Sequence, residues 1–187
     1  MITGGDIQLT GTSRGGPIVL RHPKWSDFDD WARMRELSTD ALRRWEPDWD
    51  PAPHDRKTFK KRLNAYRRLT TAGTAYPFHI FADNVLVGAC NLSDIRPGSA
   101  SSAQIGYWIG TPHHRRGYGQ AAVEAVLRFA FGHLGLHRVE AAVQDDNIAS
   151  IRLLEGLGFT REGVARGLLK IDGAWRDHAR YARLSSD

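Results

Sequence analysis

The segment Ala103–Gln120, AQIGYWIGTPHHRRGYGQ, constrains this chain more than any other. An apolar run of strand composition enters the basic turn Arg115-Arg116-Gly117-Tyr118-Gly119, and an alanine-rich amphipathic stretch follows at once. Glycines let a backbone bend so that free N–H groups point outward, and a helix start adds partial positive charge. Two arginines add full charges that suit phosphate oxygens. Strand, turn and helix in this order make an anion cradle, which points to a pyrophosphate-bearing cofactor held beside a strand. A glycine turn before a helix is also a common plain connection, so a second motif is needed. The turn lacks the third glycine and later acidic residue of a dinucleotide-binding crossover, and the lysine with Ser or Thr of a P-loop. Nucleotide hydrolysis is disfavoured.

The chain has 187 residues, 41% of them apolar, enough for one domain with a substantial core. Residues 1–16 are rich in Gly, Ser and Thr and read as a flexible arm, with a single domain over 17–187. The amino terminus shows no basic start followed by an apolar run, so a soluble cytoplasmic protein is expected. One cysteine, Cys90, leaves no cysteine-based zinc site and reads as a small core residue in VGACNL; no metal is expected. The net charge of +5 favours anionic partners: a phosphorylated cofactor, an acidic peptide, or RNA near a ribosome.

Pro17–Arg21 reads as a strand, and Ser26-Asp27 opens a helix to about Leu37 with Phe28, Trp31, Met34 and Leu37 on one face. A proline-rich aromatic loop, Trp45–Pro53, precedes a basic helix over about 55–69 that carries Lys57, Lys60, Lys61, Arg62, Arg67 and Arg68. Two strands meet at Asp83-Asn84, a two-residue hairpin signal. Further strands are expected at 103–109 and 138–143. Asn147–Leu157 reads as a short helix stopped by Gly158, and a final hairpin turns at Asp172-Gly173. Antiparallel hairpins followed by alternating strands and helices imply a mixed α/β sheet.

The second motif is Asn147-Ile148-Ala149-Ser150 followed by Leu153-Leu154-Glu155-Gly156-Leu157-Gly158-Phe159. Asn147 suits a helix N-cap and Gly158 a C-terminal stop, and both motifs follow a strand and open a helix. Together, IGYWIG…HRRGYGQAA and NIASIRLLEGLGF resemble the GCN5-related N-acetyltransferase (GNAT) family from about Pro17 to Leu184. Within it, RRWEPDW and LLKIDGAWRDHARYARL are most similar to the ribosomal-protein-alanine N-acetyltransferases of RimJ/RimL type.

The resemblance implies a mostly antiparallel seven-stranded sheet with about four helices, in which parallel strands four and five splay apart. Acetyl-CoA would lie in the gap, its pantetheine against the backbone of Tyr107, Trp108 and Ile109 and its pyrophosphate on His114, Arg115, Arg116, Gly117, Tyr118, Gly119 and Gln120. His114 departs from the Gln or Arg usual in the family. Asn147 and Ser150 would contact the pantetheine and thioester. Many relatives protonate the departing thiolate with a tyrosine where this chain has Leu154; the likeness to RimL-type proteins implies Ser150 as the general-acid candidate instead, against a structural or cofactor hydrogen-bonding role. Relatives place a base where this chain has Ala142 or Leu169; Glu140, acting through water, is the candidate here, against a framework role.

A free α-amine with pKa about 8 is roughly 10% neutral at pH 7, a lysine amine below about 0.1%. A weak base therefore fits α-amine acetylation better than lysine acetylation. By the same resemblance, Trp45, Glu46 and Trp49 and the hairpin residue Asp177 border the acceptor, with Glu46 a candidate partner for its ammonium; the alternatives are a helix–helix connection packed on the core and, for Asp177, a lock between the terminal strands. Three readings stay open: transfer to the N-terminal alanine of a ribosomal protein, transfer to a small amine (polyamine, amino acid or antibiotic), and a non-catalytic CoA-binding module. The basic helix near 55–69 is either a solvated face or a contact to ribosomal RNA or an acidic protein surface. Oligomeric state is not legible.

Overall fold

A computed structural model of the chain describes residues 7–47 and 54–187. Its strands are β1 (Gln8–Ser13), β2 (Gly16–Arg21), β3 (Tyr76–Ala82), β4 (Val85–Arg96), β5 (Ser102–Ile109), β6 (Arg138–Val143), β7 (Thr160–Ile171) and β8 (Ala174–Leu184). They form one sheet in the order β1-β2-β3-β4-β5-β6-β8-β7. Neighbours are antiparallel except β5 and β6, which run parallel. The helices are α1 (Phe28–Leu37), α2 (Thr39–Arg43), α3 (Arg56–Thr71), α4 (Tyr118–Arg128) and α5 (Ile148–Gly156).

The mixed sheet with one parallel junction agrees with the expected class. Among the described residues it has one strand and one helix more than expected. The extra strand corrects the flexible-arm reading of residues 1–16 over Gln8–Ser13; residues 1–6 lie outside the described ones. Gln8–Ser13 pairs with β2 along its whole length, and Ile7 and Leu9 pack on the main core. Glycine, serine and threonine masked a strand whose apolar residues are few but alternate. The extra helix, α2, is too short to leave a periodic signal.

Local signals hold where one or two residues decide the geometry. Asp83 and Asn84 both take positive φ (49° and 63°) in the β3–β4 turn, as do Asp172 and Gly173 (49° and 76°) between β7 and β8. The Asp55 carboxylate accepts the Thr58 N–H at 2.6 Å and caps α3.

The two sheet faces carry separate cores. One gathers Ile18, Leu20, Phe78 and Ile80 with Val123, Val126 and Leu127 of α4 and Leu154 of α5. The other gathers Phe28, Trp31 and Met34 of α1 and Phe59 of α3 with Leu86, Phe81 and Trp108. Phe81 alternates with Ile80, and Trp108 with Tyr107, as the two-residue period of a strand requires. Gly88 lets β4 and β5 approach closely, since a Cβ there would stand 2.2 Å from the carbonyl oxygen of Trp108.

Asp27 fastens the turn before α1 to the sheet. Its carboxylate accepts from Arg21 at 2.9 and 2.6 Å, from the Lys24 N–H at 2.8 Å and from His79 Nδ1 at 3.0 Å. Burial alone would raise its pKa, but the bonds from His79, Arg21 and Lys24 outweigh it and hold Asp27 well below the carboxylate range. Burial lowers His79 more than Asp27 raises it, so its ring is neutral. Both shifts have one sign in linkage: the unfolded chain binds more protons in acid. The stability they give is present above about pH 6.5 for His79 and about pH 4 for Asp27, and is lost as pH falls below each value. The urea midpoint should decline from pH 7 to pH 5 and more steeply below pH 4; a midpoint constant over that range would contradict this account.

Candidate active site

The parallel strands pair at three positions only: Ser102 with Arg138, Ala103 with Val139 and Gln104 with Glu140. Beyond Gln104, β5 continues to Ile109 against β4, while β6 continues to Val143 against β8. The facing edges of Ile105–Ile109 and Ala141–Val143 therefore part. A cleft of about 1110 Å³ occupies the fork, running from the turn after β5, past Ser150, to the loop after α2.

At one end, Arg115 and Gly117 take positive φ (62° and 79°), and α4 starts at Tyr118. Alternating left-handed residues before a helix turn successive N–H groups to one side, the arrangement that binds an anion. His113, His114, Arg115, Gly117, Tyr118, Gly119 and Gln120 line the cleft here. Arg116 does not; its carbonyl accepts the Gly15 N–H at 2.8 Å. The Tyr118 ring is buried and its hydroxyl donates to the Gly15 carbonyl at 3.0 Å. These bonds clamp the β1–β2 hairpin onto the turn and bring Arg14 into the cleft beside Arg115. Sequence reading missed Arg14 because it lay in the assumed arm. His114 Nε2 donates to the Ile109 carbonyl at 2.9 Å, tying the turn to the strand end. Burial, then the neighbouring Arg116 and His114 charges, lowers His113.

Tyr107 and Ser150 meet in the middle. Asn147 caps α5 by accepting the Ser150 N–H at 3.2 Å. That leaves the Ser150 Oγ free to hydrogen-bond the Tyr107 hydroxyl at 2.6 Å. Burial pushes the Tyr107 phenol well above its ordinary pKa, against the opposing effect of the Ser150 bond. Both hydroxyls therefore keep their protons at neutral pH. Tyr107 thus brings a phenol from β5, though the α5 position of the family's tyrosine is Leu154.

The far end holds the expected acceptor residues. Trp45 and Glu46 line the cleft; Trp49 lies outside the described residues. Both Glu46 oxygens accept from buried Arg35, at 2.7 and 2.5 Å, and Arg35 lies 5.1 Å over the Trp108 ring. Glu46 therefore anchors an arginine rather than standing ready for an ammonium. Asp177 does not line the cleft; its carboxylate accepts the Gly167 N–H at 2.7 Å and pins the irregular stretch of β7. His178, one residue on, does line the cleft and is buried.

Glu140 is the largest correction. It sits at the last rung before the strands part, and its oxygens accept from Arg138 at 2.8 Å, Arg180 at 2.6 Å and Arg96 at 3.5 Å. Arg138 in turn pairs with Glu162. A carboxylate ringed by three guanidinium groups, below the cleft rather than in it, is a framework anion and not a base. Among the described residues no group of three or more His, Cys, Asp or Glu side chains converges as a metal site would. No helix there is long and apolar enough to cross a membrane.

Residues 18–160 match the profile of the Acetyltransferase (GNAT) domain family. The chain belongs to the GNAT acetyltransferase family. It is 31% identical over 183 residues to the [Ribosomal protein uS5]-alanine N-acetyltransferase of Escherichia coli K12, covering 97% of this chain and 92% of that protein. It is 39% identical over 130 residues to the probable N-acetyltransferase YjcK of Bacillus subtilis, covering 68% of this chain and 72% of that protein. The structure of Mycobacterium smegmatis RimJ in complex with CoA-disulfide superposes with a TM-score of 0.94 at 30% identity, covering all of this chain and 91% of that one. This acetyltransferase is thus of RimJ/RimL type.

Two outcomes test the assignments in this acetyltransferase. Glu140→Ala strands three arginines at the base of the fork and should cost about 3 kcal/mol of unfolding free energy, read by urea denaturation; unchanged stability would remove its framework role. Arg14→Ala should weaken acetyl-CoA binding about tenfold in calorimetry, with a smaller loss at high salt. Equal affinity would place Arg14 outside the anion site.

Proposed function

We propose that this chain transfers the acetyl group of acetyl-CoA to the N-terminal α-amine of a ribosomal protein, with alanine as the first residue. The observation that carries the donor half is the fork: two strand edges that stop pairing after Gln104 and Glu140 and open toward a left-handed, arginine-bearing turn. A pantetheine amide chain can hydrogen-bond such an edge, and a pyrophosphate fits the turn and helix start. Arg14 and Arg115 stand where they would neutralise it. The acceptor half rests on the 31% identity, over nearly the whole of both chains, to the uS5-alanine enzyme of E. coli.

Acetyl-CoA supplies an activated thioester, and the protein's residues do the rest. The free edge of β5 offers backbone N–H groups to the developing oxyanion. The Ser150 hydroxyl donates its proton to the departing sulfur, and the Tyr107 hydroxyl, 2.6 Å away, orients Ser150 and backs its proton. Trp45 and Trp108 wall the acceptor end, and the Arg35–Glu46 pair stiffens it. Exposed Lys57, Lys60, Lys61, Arg67 and Arg68 on α3 form a basic face suited to ribosomal RNA. An acceptor made on ribosomes places the enzyme in the cytoplasm.

Purified protein should be given acetyl-CoA with an Ala-initiated peptide, the same peptide with a blocked N-terminus and an internal lysine, and a panel of small amines. Mass spectrometry should find the acetyl group on the α-amine. Transfer to lysine alone, or to small amines alone, would overturn the acceptor assignment. Ser150→Ala keeps the backbone N–H that caps α5, so acetyl-CoA affinity should hold while kcat drops about 100-fold. Full kcat in that variant would remove Ser150 as the acid.

A further inference from the structure

We propose that His178 is the base that takes the proton from the acceptor ammonium, a role that rests on the acetyltransferase reading above. Above the fork, β6 offers no proton acceptor: Glu140 is bound by arginines at the last rung, and the next residue on its face is Ala142. The neighbouring strand supplies one instead. β8 pairs with β6 up to Ala179 opposite Val143, and Arg180 lies opposite Ala142. Side chains alternate along a strand, so His178 shares the face of Arg180 and Ala142, one residue past the last pairing, at the open end of the cleft. Its ring is buried, with 3% of its surface exposed, yet it lines the cleft.

One hydrogen bond sets its chemistry. His178 Nδ1 lies 3.0 Å from the carbonyl oxygen of Arg176. A carbonyl only accepts, so Nδ1 carries a proton, and the tautomer this bond selects for the neutral ring is the one with its lone pair on Nε2. Among the described residues, the charged side chains lining the cleft away from the phosphate turn are Arg35 and Glu46, paired with each other, and Arg62 of α3; on β8 itself Arg180, two residues on, is held by Glu140. On β7, Ala165 stands opposite His178. His113 and His114 flank the phosphate turn at the other end.

The step balances as follows. Neutral Nε2 takes one proton from the ammonium and becomes imidazolium. The freed amine forms an N–C bond to the thioester carbonyl carbon, and the C–S bond breaks. The departing sulfur takes the Ser150 proton, and Ser150 is restored by the second proton leaving nitrogen. The imidazolium then releases its proton to water, giving amide, thiol and one proton.

Two variants separate a base from a brace. His178→Asn keeps an N–H where Nδ1 donates to the Arg176 carbonyl but has no basic nitrogen; His178→Ala removes both. The readouts are kcat at saturating Ala-initiated peptide from pH 6 to 9.5 and acetyl-CoA affinity by calorimetry. In His178→Asn, affinity should stay within about twofold, while kcat falls about 100-fold at pH 7. That deficit should narrow as pH passes the amine's own pKa near 8, above which no base is needed. Added imidazole should restore part of the rate to His178→Ala. A His178→Asn enzyme with unchanged kcat and pH profile would overturn the proposal, as would a deficit equal at every pH that imidazole does not relieve. Wild-type protein that acetylates no amine would instead sink the acetyltransferase reading and this role with it.

Discussion

Two parallel strands that hydrogen-bond for three residues and then separate are the constraint on which the rest of this structure depends. Backbone N–H and C=O groups are normally paired inside a sheet, and an open edge in the middle of one needs a partner. Here the opening is held at its base by charge. Glu140 at the last rung ties Arg96 of β4, Arg138 of β6 and Arg180 of β8 together, and Arg138 reaches on to Glu162 of β7. Only the Glu140 carboxylate at the centre of this cluster is nearly buried, and removing it would leave three guanidinium groups without their shared partner, so the strands are held together below the fork and part above it.

The two ends of the fork are built from different materials. The anion end is backbone: Arg115 and Gly117 in left-handed conformations, the first turn of α4, and a hairpin clamped on through Gly15. Backbone donors need no particular side chain, which explains why His114 in place of Gln or Arg leaves the turn intact; its ring braces the strand end instead. The far end is side chain: Trp45, Trp108, the Arg35–Glu46 pair and His178. Ser150 and Tyr107 stand at the junction. The phenol reaches Ser150 from β5, so two hydroxyls meet in the cleft although the α5 sequence has Leu154 where many relatives have tyrosine.

Much of the fold is legible in the sequence because it is decided within a few residues. The Asp83-Asn84 and Asp172-Gly173 turns, the Asn147 cap, and the strand–turn–helix around Gly117 are backbone choices written in adjacent letters. Their physical basis is steric and local, so they survive any tertiary context that admits them. The family resemblance rests on these same stretches. The strand Gln8–Ser13 escaped because its glycine and serine content mimics a mobile tail, while its pairing partner and the core under Leu9 are tertiary.

The letters alone settled where the chain turns, where helices are capped and where a left-handed, glycine-bearing bend precedes a helix. Which carboxylates are free to act was decided only by tertiary structure. Glu140, Glu46 and Asp177 look alike as letters, yet each is claimed by a group at least ten residues away: Arg96 and Arg180, Arg35, and the Gly167 N–H. A side chain's chemistry depends on what faces it, and facing groups are brought together by the fold rather than by the order of residues.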